Sequence, residues 1–472
     1  MIPKPVLSHI NGSQAQYLAD FAEFLRIPSI SMYSGYADDV RKAAQWALDH
    51  AKRLGFTGTL YETPVHPVMY AELCPYQDAP TLLIYGHYDV QPAEPLDKWV
   101  TPPFDPSVRN GAVFARGATD DKGQLFTYFM AIESILSSEG ALPLNVKLFL
   151  EGEEEIGSPN MEAFCRDHKQ LLSADYVAIS DGSKFAKHMP AIEYGLRGLV
   201  YMQIDVQGPA VDVHSGVYGG AVVNPAQALV DILHTMRDDK GHVLIPGFYG
   251  RVRDIEPWER KQLAELPLNE ESIKSLLGVD RFVPEEGYTF LESTWARPTF
   301  EINGIWGGFQ GEGSKTIIPA SASAKVSMRL VPDQDPVEIM RLFEQHVRAV
   351  TPPGVTVTIT PHAHSGPVIV SRQSDAIVAA EKSITYAYGR KPVFVRSGGS
   401  IGVVVTMKEQ LGIEEILLLG WGNPEDGEHS PNEHFNLDDF YRGTLAVAAL
   451  MYELGESKKP AAKTPATQKQ QK

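Results

Sequence analysis

The stretch VKLFLEGEEEIGS, Val146 to Ser158, constrains this chain most. Val146, Leu148, Phe149 and Leu150 read as a buried strand, and the run ends in a glycine followed by Glu153, Glu154 and Glu155. Carboxylates gathered at the mouth of a core strand repel one another and lose hydration, so they must be protonated, paired with cations or used to hold metal. The alternative is a solvated acidic turn. What the chain brings to its other strand ends decides between the two.

In TLLIYGHYDVQP, Thr81 to Tyr85 form a second strand-like run, followed by Gly86, His87 and Asp89. Residues 92–119 are rich in proline and glycine and read as an irregular loop ending in RGATDDKG. Leu125 to Leu136 then carry apolar residues at helical spacing, which sets Asp120 and Asp121 at a helix N-terminus, where the macrodipole favours negative charge. Capping alone would explain them. Tyr176 to Ser180 is another strand, with Asp181 and Gly182 behind it, a pair also common in turns. Ile416 to Leu419 leads into GWGNPEDGEHSPNEH, which contains His429. Gln14 to Arg26 and Val40 to Leu54 are expected to be scaffold helices.

Apolar runs alternating with helical segments indicate an α/β domain with a mostly parallel sheet. In such sheets a ligand site forms at the carboxyl ends of the strands, so residues far apart in sequence are expected to converge there. Between about residues 196 and 366 the texture changes: strands at Leu199–Val206, Phe300–Phe309 and Ala324–Leu330 mix with helices at Asn224–Met236 and Pro336–Val350. This reads as an α+β insertion with its own core. A helix at Ser374–Tyr388 returns the chain to the first domain. A length of 472 residues fits two domains, here 1–195 with 367–456, and 196–366. Residues 457–472, which carry lysines and no large apolar group, are expected to be a disordered tail.

A net charge of −17 argues against nucleic acid or an anionic membrane as partner and leaves small molecules and protein subunits. Cys74 and Cys165 lie far apart, outside any metal-binding spacing, and fit a reducing cytoplasm. The N-terminus has no continuous apolar segment of the secretory kind, and no run is long enough to span a membrane.

Two neighbouring metal ions need a bridging carboxylate and further nitrogen or oxygen ligands on each side. The candidates supply such a set: His87 and His429 as imidazoles, Asp120 as bridge, Glu155 and Asp181 as terminal carboxylates. Donors of this kind without sulfur suit zinc, and manganese or cobalt less specifically. Asp89, two residues after His87 in an extended segment, points the same way and is placed to accept the ring's other N–H. One glutamate of the acidic run would bind metal while a neighbour serves as general base; spacing leaves open which. Each residue also has an ordinary reading, as a loop histidine, a cap, a turn or a solvated acid. Five coincidences at strand exits are then needed.

GHYDVQP, GATDDKG, EGEEEIGS, SDGS and GEHSPNE, in this order, resemble the signature of the two-metal peptidase family that includes glutamate carboxypeptidase, carnosinase, the cytosolic non-specific dipeptidase and succinyl-diaminopimelate desuccinylase. YGLRGLV, DVHSGVYGG and SMRLVP resemble the dipeptidase branch in particular, and the likeness runs from about residue 15 to residue 455. It implies a zinc-peptidase catalytic domain with an inserted lid and dimerisation domain. By it, His87, Asp120 and Asp181 would hold one metal, and Asp120, Glu155 and His429 the other. Glu154 would be the general base, Glu153 a bystander, and the Asp120–Asp121 peptide cis.

The resemblance further implies that His214 reaches into the active site of a second subunit to stabilise the oxyanion, and that Arg329 grips the substrate carboxylate. Asn303, Lys315, Thr316 and the Gly399–Ser400 turn would supply further substrate contacts; the family often has histidine where this chain has Asn303. The implied activity is hydrolysis of dipeptides with a free C-terminal carboxylate, by a cytoplasmic homodimer. The alternatives are an N-acyl-amino-acid amidohydrolase, a deacylase or desuccinylase, and a catalytically silent peptide-binding protein on the same fold.

Overall fold

The computed structural model describes residues 2–399 and 402–457. The chain divides into two compact units: Met1–Glu193 with Val370–Phe394 and Thr406–Lys472, and Tyr194–Ile369 with Val395–Val405. Residue 457 ends the helix Leu437–Ser457, and the rest of the expected tail, 458–472, lies outside the described residues.

At the centre of the first unit four strands run parallel, in the order Asn145–Glu151, Thr81–His87, Tyr176–Ser183, Ile416–Gly422. Val68–Leu73 and Thr57–Tyr61 extend the sheet antiparallel beyond Asn145–Glu151. Central parallel strands are covered on both faces, which is why their residues form unbroken apolar runs; every residue of Asn145–Glu151 is buried. The covering helix Lys122–Glu139 is buried almost all round. Aromatic rings join the other helices around it, Phe24 stacking on Trp46 at 4.5 Å and Phe21 on Phe440 at 4.9 Å between centroids.

The central strands outrun their apolar cores. His87 still pairs with Glu151, and Asp181 and Gly182 lie inside Tyr176–Ser183, where Gly182 pairs with Gly420. Gly182 is a ladder residue, and Asp181 sits before it where the register shifts, inside the strand and not in a turn. The loop expected over 92–119 also holds structure: Ser107–Arg109 pairs with Ala112–Phe114, which pairs in turn with His434–Asn436. This small sheet ties the segment before Asp120 to the segment after His429.

The second unit is built on an antiparallel sheet, ordered Glu301–Gly307, Ser321–Leu330, Gly198–Gln207, Thr356–Ser365. One face carries Val200, Met202, Ile204, Val326 and Met328, packed into a core with Leu229 and Ile232 of the helix Pro225–His234 and Phe343 of the helix Pro336–Val350. Strand alternation sends Ser327 and Arg329 to the other face. A two-residue ladder joins Val213–His214 to Ile317–Ile318. No helix among the described residues is long and apolar enough to cross a membrane.

Candidate metal centre

Every residue that the sequence assigns to the metal site lies in the first unit, at the carboxyl ends of the parallel strands and the loops beyond them. His87 ends its strand with a fully buried side chain; its Nε2 stands 3.0 Å from Asp120 Oδ1 and 3.7 Å from Asp181 Oδ1. The other oxygen of Asp120 lies 2.8 Å from His429 Nε2, which is 3.2 Å from Glu155 Oε2. Two groups of donors result, His87–Asp120–Asp181 and Asp120–Glu155–His429, each with its ligand atoms within 4.8 Å of one another. Asp120 belongs to both, one oxygen to each.

His87 Nε2 makes no well-formed hydrogen bond despite its close carboxylate neighbours. A buried polar atom crowded by carboxylates yet hydrogen-bonded to none is what donors aimed at a shared point look like. The set is imidazole and carboxylate without sulfur, the donors of a divalent transition-metal site. The residues fit a pair of metal ions bridged by Asp120.

The cap and solvated-turn readings do not match the geometry. Asp121 occupies the cap position of the helix Lys122–Glu139 without a side-chain capping bond; its Oδ2 instead accepts the amide of His87 at 3.2 Å. That approach requires Gly86, since a Cβ there would sit 2.9 Å from Asp121 Oδ2. The peptide between Asp120 and Asp121 is cis. The acidic run is no solvated turn: Glu153 is 2% exposed and accepts hydrogen bonds from Thr63 Oγ1, the His66 amide and Asn160. The expected bystander thus pins the turn on which its neighbours sit. His429, by contrast, is half exposed and has φ of 59°, a left-handed backbone uncommon for a residue with a Cβ and frequent at functional sites.

Asp89 does two things. Its backbone carbonyl lies 3.1 Å from His87 Nδ1 and its carboxylate 3.4 Å, so the ring is oriented chiefly by main chain. The carboxylate oxygens accept the amides of Glu154 and Glu155, at 3.3 and 3.1 Å, and fix where those glutamates begin.

The electrostatics are those of crowded acids. Burial pushes Glu154 up to about 8, with the nearby Asp181 and Glu155 adding and His87 opposing. Burial likewise raises Asp181, against the pull of His87. For Asp120 burial is outweighed by His429 and His87, which hold it below the usual carboxylate range. Asp120 and Glu155 push His429 up to about 10. Both imidazoles are drawn towards the cationic form, so the cluster is a field for positive charge.

Two supporting residues escape a reading by metal-ligand type. Gln91 donates to Glu155 Oε2 at 2.8 Å. It continues the alternation His87, Asp89, Gln91, and that periodicity is the signal that marks it. Glu433 is fully buried and accepts the amides of Gly117, Thr119 and Asp120 at 2.9 to 3.1 Å and Arg116 Nη1 at 2.8 Å. It ties the loop of Asp120 to the segment that carries His429, four residues upstream in GEHSPNE, a link across most of the chain that local spacing does not reveal.

The remaining assigned residues belong to the second unit. His214 is exposed and its Nδ1 accepts the Gly216 amide at 3.0 Å; Thr316 is its neighbour, its carbonyl accepting the Ser215 amide at 3.1 Å. Arg329 and Asn303 line a cavity of about 460 Å³. Ser400 lies outside the described residues.

The model of the peptidase family M20/M25/M40 matches residues 83–453, a span that includes every donor of the two metal groups. The chain belongs to that family. This M20/M25/M40 peptidase is 37% identical over 461 residues to the Cys-Gly metallodipeptidase dug1 of Schizosaccharomyces pombe, covering 94% of this chain and 97% of that one. It is 32% identical over 471 residues to the Beta-Ala-His dipeptidase of Homo sapiens, covering 96% and 92%. Among solved structures it is similar to the M20 family metallo-carboxypeptidase Sso-CP2 from Sulfolobus solfataricus, with a TM-score of 0.81, 33% identity and coverage of 93% and 99%. It is a metallopeptidase, and the two relatives just given are named as dipeptidases.

Proposed function

We propose that this metallopeptidase hydrolyses dipeptides with a free C-terminal carboxylate, using two divalent ions, zinc foremost, held by His87, Asp120 and Asp181 and by Asp120, Glu155 and His429. The observation that carries the reading is Asp120, whose two oxygens each face a separate imidazole. Ions bound there would polarise the scissile carbonyl and acidify the attacking water.

Glu154 is the base. It takes a proton from water as the water oxygen bonds to the carbonyl carbon, then passes it to the amide nitrogen as the carbon–nitrogen bond breaks. Burial among like charges raises its proton affinity above that of an ordinary glutamate. Asp89 positions His87 and both glutamates. Arg329, from a half-buried strand position, grips the substrate's carboxylate, and Asn303 lines the same cavity. His214, with Nδ1 occupied by the Gly216 amide, donates from Nε2 to the developing oxyanion, beside Thr316. Ser400 is assigned by resemblance alone.

A homodimer formed through the second unit supplies His214 to the partner's site. The strand Glu301–Gly307 supports this: it is a sheet edge whose Ile302, Ile305 and Trp306 are exposed, an arrangement that invites a second chain. Cytoplasmic placement is supported by two unpaired cysteines, Cys74 and Cys165.

The test is a panel of dipeptides, tripeptides and N-acyl amino acids, presented to metal-stripped and metal-reloaded enzyme. Dipeptides are expected to be cleaved only after reloading. Cleavage of acyl amino acids with dipeptides untouched would make the protein an amidohydrolase, and stepwise trimming of longer peptides would make it a carboxypeptidase.

A further inference from the structure

The five donors of the metal centre are not held alike. His87 ends a strand, Asp181 lies within one, and the amides of Asp120 and Glu155 are held by Glu433 and Asp89. His429 lies in the segment 423–433, between the strands Ile416–Gly422 and His434–Asn436, with a half-exposed side chain and a left-handed backbone. Its ring also lacks the orienting bond that His87 has, since its Nδ1 meets no hydrogen-bond partner among the described residues. The direction of His429 Nε2 therefore depends on the turn that carries it.

The base of that turn closes on itself: the His434 amide donates to the Asp426 carbonyl at 2.9 Å, and the Asn423 amide to the Asp426 carboxylate at 2.8 Å. Its far side is closed from a distant part of the chain. Asn432 Oδ1 accepts the Val100 amide at 2.9 Å, and Asn432 Nδ2 donates to the Lys98 carbonyl at 2.8 Å. The loop that receives it is itself anchored, with Leu96–Lys98 forming a short helical turn, Trp99 Nε1 donating to the Ala93 carbonyl at 2.7 Å and Arg116 Nη2 to the Pro92 carbonyl at 3.0 Å. Asn432 has φ of 64°, in the left-handed region that asparagine tolerates better than most residues with a Cβ. One side chain thus uses both its donor and its acceptor to clasp two loops.

We propose that Asn432 is the positioning residue of His429: by fixing the turn to the loop 96–100, it sets where His429 Nε2 meets Asp120 and Glu155, and so governs one metal group and not the other. The proposal rests on the two-metal reading. It adds that the two groups are organised separately, His87–Asp120–Asp181 by strand ends and Asp120–Glu155–His429 by a clasp between loops. Bonds made behind a ligand, away from its donor atom, are what orient it towards the ion.

The experiment measures zinc bound per chain, by elemental analysis of full-length protein equilibrated with a zinc buffer at a free concentration where the wild type just holds two ions. Asn432→Ala is expected to weaken one site by about 10- to 100-fold, and so to hold one ion there, while the other site keeps its affinity within about twofold. Val100→Pro removes the amide that Asn432 Oδ1 accepts and should give the same loss without altering the His429 segment. Trp99, with ψ of 131°, already has the extended backbone that precedes proline. Asn432→Gly keeps access to the left-handed backbone and should match Asn432→Ala; recovery with glycine would assign the loss to backbone conformation and overturn the clasp. Added to His429→Ala, Asn432→Ala should change zinc binding no further, because it acts through the residue already removed. Two ions retained in Asn432→Ala, equal weakening of both sites, or a further loss in the double variant would overturn the proposal. A wild type that saturates at one ion would instead overturn the two-metal reading.

Discussion

The two units of this peptidase hold their functional residues in opposite ways. In the first, each donor meets another donor: His87 and His429 face the two oxygens of Asp120, and Asp89, Gln91 and Glu433 brace the set from behind. In the second, His214 is exposed and Arg329 half-buried in a cavity wall, and both are proposed to meet the substrate. The first unit is thus organised before anything binds, by buried hydrogen bonds. Substitutions in the first should change metal content and turnover, and substitutions in the second should change substrate recognition.

The largest expected effect tests that division inside the first unit. Glu154→Gln should lower kcat by about 10²- to 10⁴-fold with metal content unchanged, measured by steady-state kinetics beside elemental analysis. Loss of metal in that variant would make Glu154 a ligand and blur the comparison. Glu433→Gln comes next: with its grip on the Gly117, Thr119 and Asp120 amides weakened, metal affinity should fall by about 10- to 100-fold, read by titration with a competing chelator, and excess metal should restore turnover. In the second unit, Arg329→Lys should raise KM about tenfold with metal content and stability intact, because an ammonium cannot reproduce a forked grip on a carboxylate.

The smallest effect concerns the scaffold of the first unit. Burial, with Arg53 adding, pushes His50 from its ordinary 6.5 down to about 3. The unfolded chain therefore binds the extra proton between those values, and stability should fall as pH drops below about 6.5. Thermal melts of wild type and His50→Leu from pH 7 to pH 5 should show the shallower fall in the variant.

Much of the first unit was legible because its constraint is local. A buried parallel strand must be apolar until it reaches the ligand-bearing end, so Leu82–Tyr85, Val146–Leu150 and Ile416–Leu419 each announce a strand and the polar residue after it. The Asp181–Gly182 pair misleads because an in-strand glycine, here paired with Gly420, looks like a turn when its partner strand is far off in sequence. The small sheet at Ser107–Arg109 and Ala112–Phe114 is invisible for the same reason: its strands are three residues long and lean on His434–Asn436.

In the second unit Thr356–Ser365 carries Pro361, which argues against a strand; it is tolerated at a sheet edge, where the ladder bulges between Pro361 and Ala363.

The central claim, two metal sites sharing Asp120, is tested most directly by counting bound ions in purified full-length protein. Wild type should bind two per chain, His429→Ala and Asp181→Ala one each, and Asp120→Ala markedly fewer than either. A single ion in the wild type, or two retained in Asp120→Ala, would contradict it.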